Sequence, residues 1–563
     1  MRNIYDAIVI GSGISGGWAA KELCEKGLKT LVLERGGPVE HVKDYTTATT
    51  PLWELPRHGA ATLEARRESP IQSTIYAWED ASRRFFVSDK EHPYIQAKPF
   101  GWIRGYQTGG RSLVWGRQSY RFGDLDFEAN AKDGVGVDWP LRYKDLAPWY
   151  SYAERFAGIS GAAEGIPHLP DGEFLPAMEM NCVEKEVKRR LEEAYHGERK
   201  FIMGRVANLT KAVHGRGPCQ YRNRCHLGCP FGGYFSSNSA TLPAAAATGN
   251  LTLRPHSVAT EILYDKDKRR ATGVRITDAQ TLQSEEFHAK IIFVNASTIA
   301  TAALLLASTS EVFPQGMGNG SGQLGRNLIN HHVGAGASGT FEGMKDVYYY
   351  GKRANGPYIP RFRNIGGTSR RSDYLRGFAY QCSAERGNFR RDHDALGIGA
   401  GLKEALSEPG DWTMSLGGFG EVLPYEENRI GLHPSLKDKW GQPLVVIDCE
   451  IKQNEKNMRA DMIASAAEML EKTGFKNIRT FDRANDPQAR VLSVHEMGTA
   501  RMGRDPRTSV LNAHNQLHEV PNVFVTDGAC MTSSACQNPS LTYMALTARA
   551  CAFAVDELKK RNL

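Results

Sequence analysis

The sequence predicts an α/β protein in which a Rossmann-like domain, assembled from discontinuous segments, is interrupted by an antiparallel β-rich domain. Two observations predict this fold. An apolar strand, a glycine-rich turn, a helix and a second strand follow one another between residues 5 and 34, as in a βαβ unit. Apolar and polar residues alternate between about residues 334 and 485, for example in TMSLGGFGEVLP and PLVVIDCEI, which favours an antiparallel sheet. At 563 residues, the chain also exceeds the size of a single hydrophobic core.

The predicted elements can be placed in chain order. They are strand 5–10, helix 18–26, strand 30–33, strands 251–254, 261–263, 273–276 and 291–294, strand 522–526 and helix 541–560. We therefore assign residues 1–40, 95–160, 205–333 and 486–563 to the Rossmann-like domain, and residues 41–94, 161–204 and 334–485 to the inserted domain and its insertions.

Composition and charge narrow the class of protein. Apolar residues make up 41% and charged residues 24% of the chain, which is typical of globular proteins. The formal net charge is +7 and the basic residues are scattered, which argues against nucleic-acid binding. The apolar stretch 291–308 contains Asn295 and Thr301 and favours a buried strand leading into a helix over a membrane span. The opening MRNIYDAIVI runs directly into a glycine motif, so we expect no export signal.

The first turn carries a dinucleotide-binding fingerprint. Gly11 permits a tight turn, Gly13 lets the backbone approach a pyrophosphate, and Gly16 lets helix and strand pack closely. The following helix N-terminus presents free N–H groups to the phosphates. Glu34 ends the second strand, where a carboxylate accepts hydrogen bonds from ribose hydroxyls. A glycine-rich hairpin would leave Glu34 unexplained, but the fingerprint alone does not separate FAD from NAD.

Three further stretches indicate a family. GGRSLVWGRQSYR, the strand and helix from Ile291, and HEMGTARMG with TDGACMTSSACQNPSLTYMALTARA resemble the glucose–methanol–choline (GMC) oxidoreductases over the whole chain and in the same order. The resemblance implies an α/β fold with a Rossmann-like FAD-binding domain and an inserted antiparallel-sheet substrate domain. It also implies an enzyme that oxidises a CH–OH group with FAD.

The resemblance implies a catalytic pair, His495 and Asn538. Asn538 precedes Pro539 and Ser540, where the last helix should begin, so its side chain is either a helix cap or a site residue. In the family, the histidine takes the substrate hydroxyl proton while hydride leaves the carbon for the flavin, and the second residue binds the developing alkoxide. The predicted cofactor contacts are Gly11, Gly13, Ser15, Gly16, Glu34, Arg35, Gly109, Gly110, Ser112, Trp115, Gly116, Val258, Asp527, Gly528, Asn538 and Ser540. For Trp115, a role in the core is an alternative.

Cys219, Cys225 and Cys229 form a C-x5-C-x3-C pattern with a proline after the last cysteine. Three thiolates can hold an iron–sulfur cluster, and a three-iron, four-sulfur cluster needs three local ligands. The spacing differs from ferredoxin patterns. Zinc with His226 as fourth ligand is one alternative, and three structural thiols are another.

Within the family, the cysteine group resembles that of the flavoprotein subunits of bacterial membrane-associated sugar and polyol dehydrogenases. SVHEMGTARMG and CQNPSLTYMALTARA are most similar to glucoside 3-dehydrogenases. This implies oxidation of a secondary hydroxyl, C3 of glucose or glucosides, with electrons passing through the cluster to a cytochrome c-type subunit. A gluconate or polyol dehydrogenase subunit and an oxygen-using sugar oxidase are alternatives, and a non-redox flavin protein or lyase is a third class. The polar residues Gln381, Glu421 and Arg429 of the inserted domain could meet sugar hydroxyls, but each is equally well a solvated surface group.

The same resemblance implies a location. We expect a small partner with its own export signal to carry the folded subunit to the periplasmic face of the inner membrane, which it contacts only through partners. A cytoplasmic location is the alternative.

Overall fold

The computed structural model describes residues 3–347, 352–387, 398–484, 486 and 491–563. Parts of the predicted ranges 1–40, 334–485 and 486–563 therefore lie outside the described residues. The described strands are β1 Ile4–Ile10, β2 Thr30–Leu33, β3 Ile95–Gln96, β4 Ile202–Met203, β5 Leu251–Arg254, β6 Ser257–Asp265, β7 Arg270–Asp278, β8 Ser284–Val294, β9 His331–His332, β10 Ala335–Phe341, β11 Pro357–Ile359, β12 Phe378–Arg386, β13 Trp412–Glu421, β14 Arg429–Lys437, β15 Pro443–Asp448, β16 Lys476–Asp482 and β17 Val523–Val525. The described α-helices are α1 Ile14–Glu25, α2 Leu63–Glu68, α3 Asp124–Phe127, α4 Ala129–Asp133, α5 Tyr143–Ala157, α6 Cys182–Ala194, α7 Leu242–Ala247, α8 Thr298–Ala307, α9 Ala400–Ser407, α10 Gln453–Lys472 and α11 Ser540–Lys559.

The first sheet has the order β5-β2-β1-β8-β7-β6, and β17 also pairs with β8. β5, β2, β1, β8 and β17 are parallel, while β6 and β7 are antiparallel additions. The last four residues of β1 are buried, as expected for a parallel strand in a sheet that is covered on both of its faces. The predicted βαβ unit is present. Its helix begins at Ile14, earlier than the predicted start at residue 18. The first turn was not predicted because it contains two glycines, which are poor helix formers.

Helices α7 and α11 both pack on α1, and the three helices share a hydrophobic cluster with residues of this sheet. The segment 291–308 forms the end of β8 followed by α8, as the sequence predicts. Among the residues that the structure describes, no helix is long and apolar enough to cross a membrane.

The second sheet has the order β16-β10-β13-β12-β11-β4, with β9 also paired to β13, and its strand pairs are antiparallel. Helix α10 packs across β10, β13 and β16. Buried residues alternate along β13, which contains the first nine residues of the predicted TMSLGGFGEVLP stretch and ends before its VLP. This sheet and its helix have a hydrophobic core of their own, so the inserted region buries its apolar residues separately from the first sheet.

The PLVVIDCEI stretch does not join this sheet. β15 instead forms a hairpin with β14 and pairs in parallel with β3 in a three-stranded sheet. Alternation of apolar and polar residues predicts a strand but does not identify the strand that it pairs with. This is why the sequence analysis grouped β15 with the strands of the second sheet. Since β3 lies in the predicted range 95–160 and β15 in 334–485, this small sheet joins the two predicted domains. The domain boundaries themselves stay a prediction.

Candidate active site

A cavity of about 1360 Å³ opens at the carboxyl ends of β1, β2 and β8, where the first sheet faces the inserted one. Residues of both sheets line it, from Gly13 and Glu34 at one end to Gln381, His495 and Asn538 at the other. The crevice beyond the carboxyl ends of parallel strands is where α/β folds bind dinucleotides. One continuous cavity thus connects the glycine turn with the predicted catalytic pair.

The three glycines of the fingerprint have different roles in the structure. Gly11 has φ +92°, and a Cβ there would lie 2.4 Å from the Asn295 carbonyl oxygen. A Cβ at Gly16 would lie 1.9 Å from the Gly11 carbonyl oxygen, so Gly16 permits the close packing of α1 on β1 and does not line the cavity. A Cβ at Gly13 would meet nothing within 4 Å, although Gly13 lines the cavity. This open space beside the N-terminus of α1 fits the phosphates of a dinucleotide.

Glu34 is buried at the end of β2 and lines the cavity. Its carboxylate accepts hydrogen bonds from Ser12 N (3.1 Å), Ser12 Oγ (2.5 Å) and Gly36 N (2.9 Å). Burial raises the pKa of the carboxyl, and the hydrogen bonds from Ser12 and Gly36 oppose that shift. Ser12 Oγ also accepts from Gly109 N at 2.9 Å, so Gly109 supports this carboxylate without lining the cavity.

Arg35 is held next to Glu34 by stacking and an ion pair. Its guanidinium lies 4.8 Å from the Tyr106 ring and 4.7 Å from the Trp440 ring, and it pairs with Asp438 at 2.9 Å. Val258 lines the same end of the cavity and is buried. Arg35, Tyr106 and Val258 thus line this part of the cavity with a cation, an aromatic ring and an apolar side chain, which suits a heterocyclic base.

Several other predicted contacts also line the cavity. These are Ser15, Gly110, Ser112, Trp115, Gly116, Asp527, Gly528 and Ser540. The indole N–H of Trp115 donates to the Phe235 carbonyl at 2.8 Å, so this side chain is both anchored in the core and exposed to the cavity. Asp527 accepts from Thr301 Oγ1 (2.6 Å), Ser297 N and Ala529 N (both 2.9 Å). Burial raises the pKa of Asp527 to about 6.

Asn538 and His495 meet at the other end of the cavity. Asn538 Nδ2 lies 3.3 Å from His495 Nε2, and Asn538 Oδ1 lies 2.9 Å from Gln381 Nε2. Helix α11 begins at Ser540 with Pro539 as its cap residue and no side-chain capping bond. The Asn538 side chain is therefore not a helix cap. It is part of the cavity wall and contacts residues from two other segments.

Gln381 is the only one of the three candidate sugar contacts that lines the cavity. Glu421 is instead buried against Arg361 (3.0 Å) and Arg376 (3.9 Å). Arg429 is exposed at the start of β14. As placed, Glu421 and Arg429 do not line the cavity, and the exposed Arg429 fits the alternative of a solvated surface group. A polar residue in a strand pattern does not reveal whether it faces a cavity, an ion pair or solvent.

The three cysteines of the loop lie near one another but do not form a metal site as placed. Burial raises the pKa values of the Cys219 and Cys229 thiols, and charge repulsion from Cys225 raises both further. Cys225 lines the cavity, whereas Cys219 and Cys229 do not. In the described part of the chain, no group of three or more His, Cys, Asp or Glu side chains is arranged to hold a metal ion. The residues as placed therefore do not fit a cluster.

The contacts that residues of this loop make with neighbouring segments are relevant to the zinc and structural-thiol alternatives. His226, the fourth zinc ligand considered, is hydrogen-bonded to Glu79. Arg222 and Arg224 donate to backbone carbonyls of residues 47–50 and so pin the loop to that segment. The buried Arg117 is close enough to Cys225 for their charges to interact.

The sequence interpretation did not identify His331 and Asn330, which contact His495. His331 Nδ1 lies 2.8 Å from His495 Nδ1, and Asn330 Oδ1 accepts from the His495 backbone N–H at 3.2 Å. The Asn-His-His triplet at 330–332 is the only local signal, and nothing in it indicates which distant residue it contacts.

The fold and the site define the class as a dinucleotide-dependent oxidoreductase: a Rossmann-type cradle shares one cavity with a histidine–asparagine pair. The chain belongs to the GMC oxidoreductase family, whose N-terminal profile matches residues 5–333 and whose C-terminal profile matches residues 424–547. The predicted family and fold are thereby confirmed, and with them a flavoprotein that binds FAD and acts on CH–OH groups.

Three similar proteins illustrate the range of the family. A 2-methyl-1,2-propanediol dehydrogenase from Mycolicibacterium austroafricanum is 28% identical over 97% of this chain and 94% of its own length. The fructose dehydrogenase large subunit from Gluconobacter japonicus is 25% identical over 99% and 98%. The crystal structure of pyridoxine 4-oxidase from Mesorbium loti covers 97% of this chain and 98% of its own, with a TM-score of 0.58 at 16% identity, and shows the fold alone.

Proposed function

We propose that this protein is an FAD-dependent dehydrogenase of a sugar or polyol in which His495 is the base and Asn538 binds the substrate oxygen. The observation that carries the proposal is the contact of His495 Nε2 with Asn538 Nδ2, 3.3 Å apart, in the cavity that also contains the glycine turn. The names of the propanediol and fructose dehydrogenases support a hydroxyl-bearing substrate.

The chain's own residues divide the work of alcohol oxidation. FAD, when bound, supplies the hydride acceptor. His495 Nε2 takes the proton of the substrate hydroxyl, and Asn538 Nδ2 donates a hydrogen bond to the oxygen as negative charge develops on it. The N-terminus of α11, which begins at Ser540, favours negative charge nearby. Low solvent exposure of Asn538, 8%, strengthens these interactions.

The cofactor-binding residues remain those predicted from the sequence, in three groups. The cavity-lining residues at the dinucleotide end are Gly11, Gly13, Ser15, Glu34, Arg35 and Val258, the other cavity-lining residues are Gly110, Ser112, Trp115, Gly116, Asp527, Gly528, Asn538 and Ser540, and the supporting glycines are Gly16 and Gly109. The space beside Gly13 and the buried carboxylate of Glu34 support this division.

The test of the base is His495→Ala. We expect FAD to stay bound while anaerobic flavin reduction by sugar slows roughly 100- to 10,000-fold, the usual loss for a general base. Stopped-flow absorbance of the yellow protein measures the rate, and FAD content measured after gel filtration is the control. A variant that reduces flavin at the wild-type rate would contradict the assignment.

The position oxidised is proposed to be C3 of glucose or a glucoside, on the family resemblance alone. Anaerobic flavin reduction across a panel of pyranosides identifies the substrate, and NMR of the product identifies the carbon. A 3-keto sugar is the expected product. A lactone would indicate oxidation at the anomeric carbon, and rapid reoxidation of the reduced flavin by air would favour the oxidase alternative, as in the 6'''-hydroxyparomomycin C oxidase of Streptomyces lividus, 28% identical.

The iron–sulfur cluster at Cys219, Cys225 and Cys229 is a separate proposal about the loop, supported by the spacing and by the proximity of the thiols. The thiols would have to move to share a metal, so we derive no step of the reaction through them. Iron and sulfide analysis of protein purified without oxygen tests the proposal, with Cys225→Ser as the matched variant. Zinc, or no metal, would make the loop structural.

The partners are proposed from resemblance as well. The word "subunit" in the name of the fructose dehydrogenase supports an assembly with further chains, for which we propose a cytochrome c-type acceptor and a small export partner. We expect this chain to remain in the cytoplasm when expressed alone and to reach the periplasm only with such a partner. Periplasmic protein in cells that express this chain alone would contradict the export proposal.

A further inference from the structure

A chain of four hydrogen-bonded side chains includes the proposed catalytic pair and ends, at His331, on a backbone carbonyl. His331 Nε2 lies 2.8 Å from the Ala535 carbonyl oxygen, and His331 Nδ1 lies 2.8 Å from His495 Nδ1. The chain continues from His495 Nε2 to Asn538 Nδ2 at 3.3 Å and from Asn538 Oδ1 to Gln381 Nε2 at 2.9 Å. His331 is fully buried, and its ring lies edge-on to that of His495, with centroids 5.0 Å apart.

The carbonyl at the end of this chain determines the direction of every bond in it. A carbonyl oxygen can only accept, so His331 Nε2 carries a proton. In the neutral ring, Nδ1 is then an acceptor, and the proton between the two histidines must belong to His495 Nδ1. His495 Nε2 is therefore the acceptor, which agrees with the N–H donor of Asn538 that faces it.

The opposite tautomer of His495 would create two mismatches. Two unprotonated Nδ1 atoms would face each other 2.8 Å apart, and an Nε2–H would point at the amide donor of Asn538. The neutral state of His331 is favoured because burial lowers its pKa to about 4, opposed in part by the carbonyls of Ala535 and Ser534.

Hydrogen bonds to the backbone also fix the position of His331 and His495 relative to each other. Asn330 Oδ1 accepts from the His331 backbone N–H at 2.8 Å and from the His495 backbone N–H at 3.2 Å, and Asn330 Nδ2 donates to the Ser493 carbonyl at 3.0 Å. One buried amide thus joins the segment that begins β9 to the segment that carries His495. Ser493 Oγ, 3.4 Å from His495 Nδ1, offers a weaker second contact.

We propose that His331 is a positioning residue that holds His495 in the tautomer with the lone pair on Nε2, ready to take a proton from the substrate hydroxyl. This inference rests on the proposed function of His495. When His495 accepts the proton, its Nδ1–H bond to His331 Nδ1 becomes charge-assisted and therefore stronger. His331 acts as a neutral acceptor in this step: its Nε2–H stays bonded to Ala535, and the proton remains on His495.

The test compares two substitutions at residue 331 in the FAD-loaded enzyme. His331→Phe keeps the ring shape but removes the acceptor, and we expect flavin reduction by D-glucose to slow roughly 10- to 100-fold with KM unchanged, the usual cost of losing the group that orients a functional imidazole. His331→Asn returns an acceptor oxygen near the Nδ1 position, and we expect it to recover most of the rate. His332→Phe is the matched control, because adjacent strand residues face opposite sides and His332 contacts Met458 instead of His495.

A second measurement reports the tautomer directly and needs no substrate. In histidine-¹⁵N-labelled holoenzyme, with the His495 signals assigned by difference against His495→Ala, we expect a protonated Nδ1 and an unprotonated Nε2. In His331→Phe, we expect the two signals to shift toward a mixture of tautomers. A wild-type His495 protonated on Nε2, or a His331→Phe enzyme with the wild-type rate beside an inactive His495→Ala, would overturn the role of His331 alone. Wild-type reduction by His495→Ala would instead overturn the proposed function.

Discussion

Replacing Asn538 with alanine tests whether this side chain stabilises the developing alkoxide. The Asn538 amide has one orientation available, because its Oδ1 accepts from Gln381 Nε2 and its Nδ2 faces His495 Nε2 at 3.3 Å. A substrate oxygen placed about 2.9 Å from both Asn538 Nδ2 and His495 Nε2, an ordinary hydrogen-bond length, would form a triangle with these two nitrogen atoms. The donor is therefore fixed before the substrate arrives, which is the condition under which such a bond lowers a barrier.

The expected loss follows from that geometry. Removing one preorganised donor to a developing oxyanion costs about 2.7–4 kcal/mol of transition-state stabilisation, or roughly 100- to 1,000-fold in rate. We expect Asn538→Ala to lower the limiting rate of flavin reduction by this factor while KM changes little, because the bond strengthens only as charge develops. Asn538→Asp should lose more, since it sets a carboxylate beside the developing negative charge. Gln381→Leu should lose less, since it only frees the amide to rotate.

Anaerobic stopped-flow measurement of flavin absorbance at a series of D-glucose concentrations separates the limiting rate from KM. FAD content and thermal unfolding of each variant are measured first, so that a loss of cofactor is not mistaken for a loss of catalysis. The argument fails if Asn538→Ala, with full FAD content, reduces flavin within about threefold of wild type, well short of the loss expected for a missing donor. It also fails if the whole effect lies in KM, which would make the contact an ordinary binding interaction.

Three further predictions concern the cofactor cradle and the core. Gly16→Ala should prevent normal folding of the cofactor-free protein, since its Cβ would lie 1.9 Å from a backbone oxygen. Gly13→Ala should unfold at the wild-type temperature but bind FAD roughly 10- to 100-fold more weakly, which titration of the apoprotein with FAD would measure. Burial, together with the charge of Glu421, raises the pKa of Asp126 to about 7, so its favourable protonated form is lost above that pH. Asp126→Asn should therefore stabilise the protein by up to about 4 kcal/mol at pH 8 and by less at pH 5. An equal effect on unfolding temperature at both pH values would contradict this sign. Arg361→Met should destabilise the protein by up to about 3–5 kcal/mol, because it removes the nearer of two partners of the buried Glu421 carboxylate and leaves the more distant Arg376, 3.9 Å away. We expect KM for sugar to stay unchanged; a raised KM would support Glu421 as a sugar contact.

The dinucleotide fingerprint was predictable because its signal is local. Gly11, Gly13 and Gly16 each meet a steric requirement of one turn, and Glu34 lies a fixed distance along the same βαβ unit. Strands β5 to β8 and the helix at the end of the chain were predictable for the same reason, since hydrophobic periodicity reports burial of a face. The family, with its FAD and CH–OH chemistry, also followed from short segments.

What the sequence could not provide was the pairing of distant segments. The PLVVIDCEI stretch has the alternation of a strand, yet its partners are β14 and β3 instead of the second sheet. Glu421 and Gln381 are polar residues in strands of one sheet, but the first is buried in an ion pair and the second lines the cavity. Periodicity gives the face of a strand relative to its neighbours in sequence and does not identify what covers that face.

The sequence by itself therefore determined the dinucleotide fingerprint and the family, and it predicted the proposed catalytic pair, because each is marked by residues close together in the chain. Only the tertiary structure decided that Asn538 is a cavity residue and not a helix cap, and that His331, 164 positions from His495, is its hydrogen-bond partner. The physical reason is that the tautomer of His495 depends on a proton shared between two segments that meet only in the folded chain. The direction of that hydrogen bond is set by the carbonyl of Ala535, a backbone group that every sequence contains and no sequence pattern can mark.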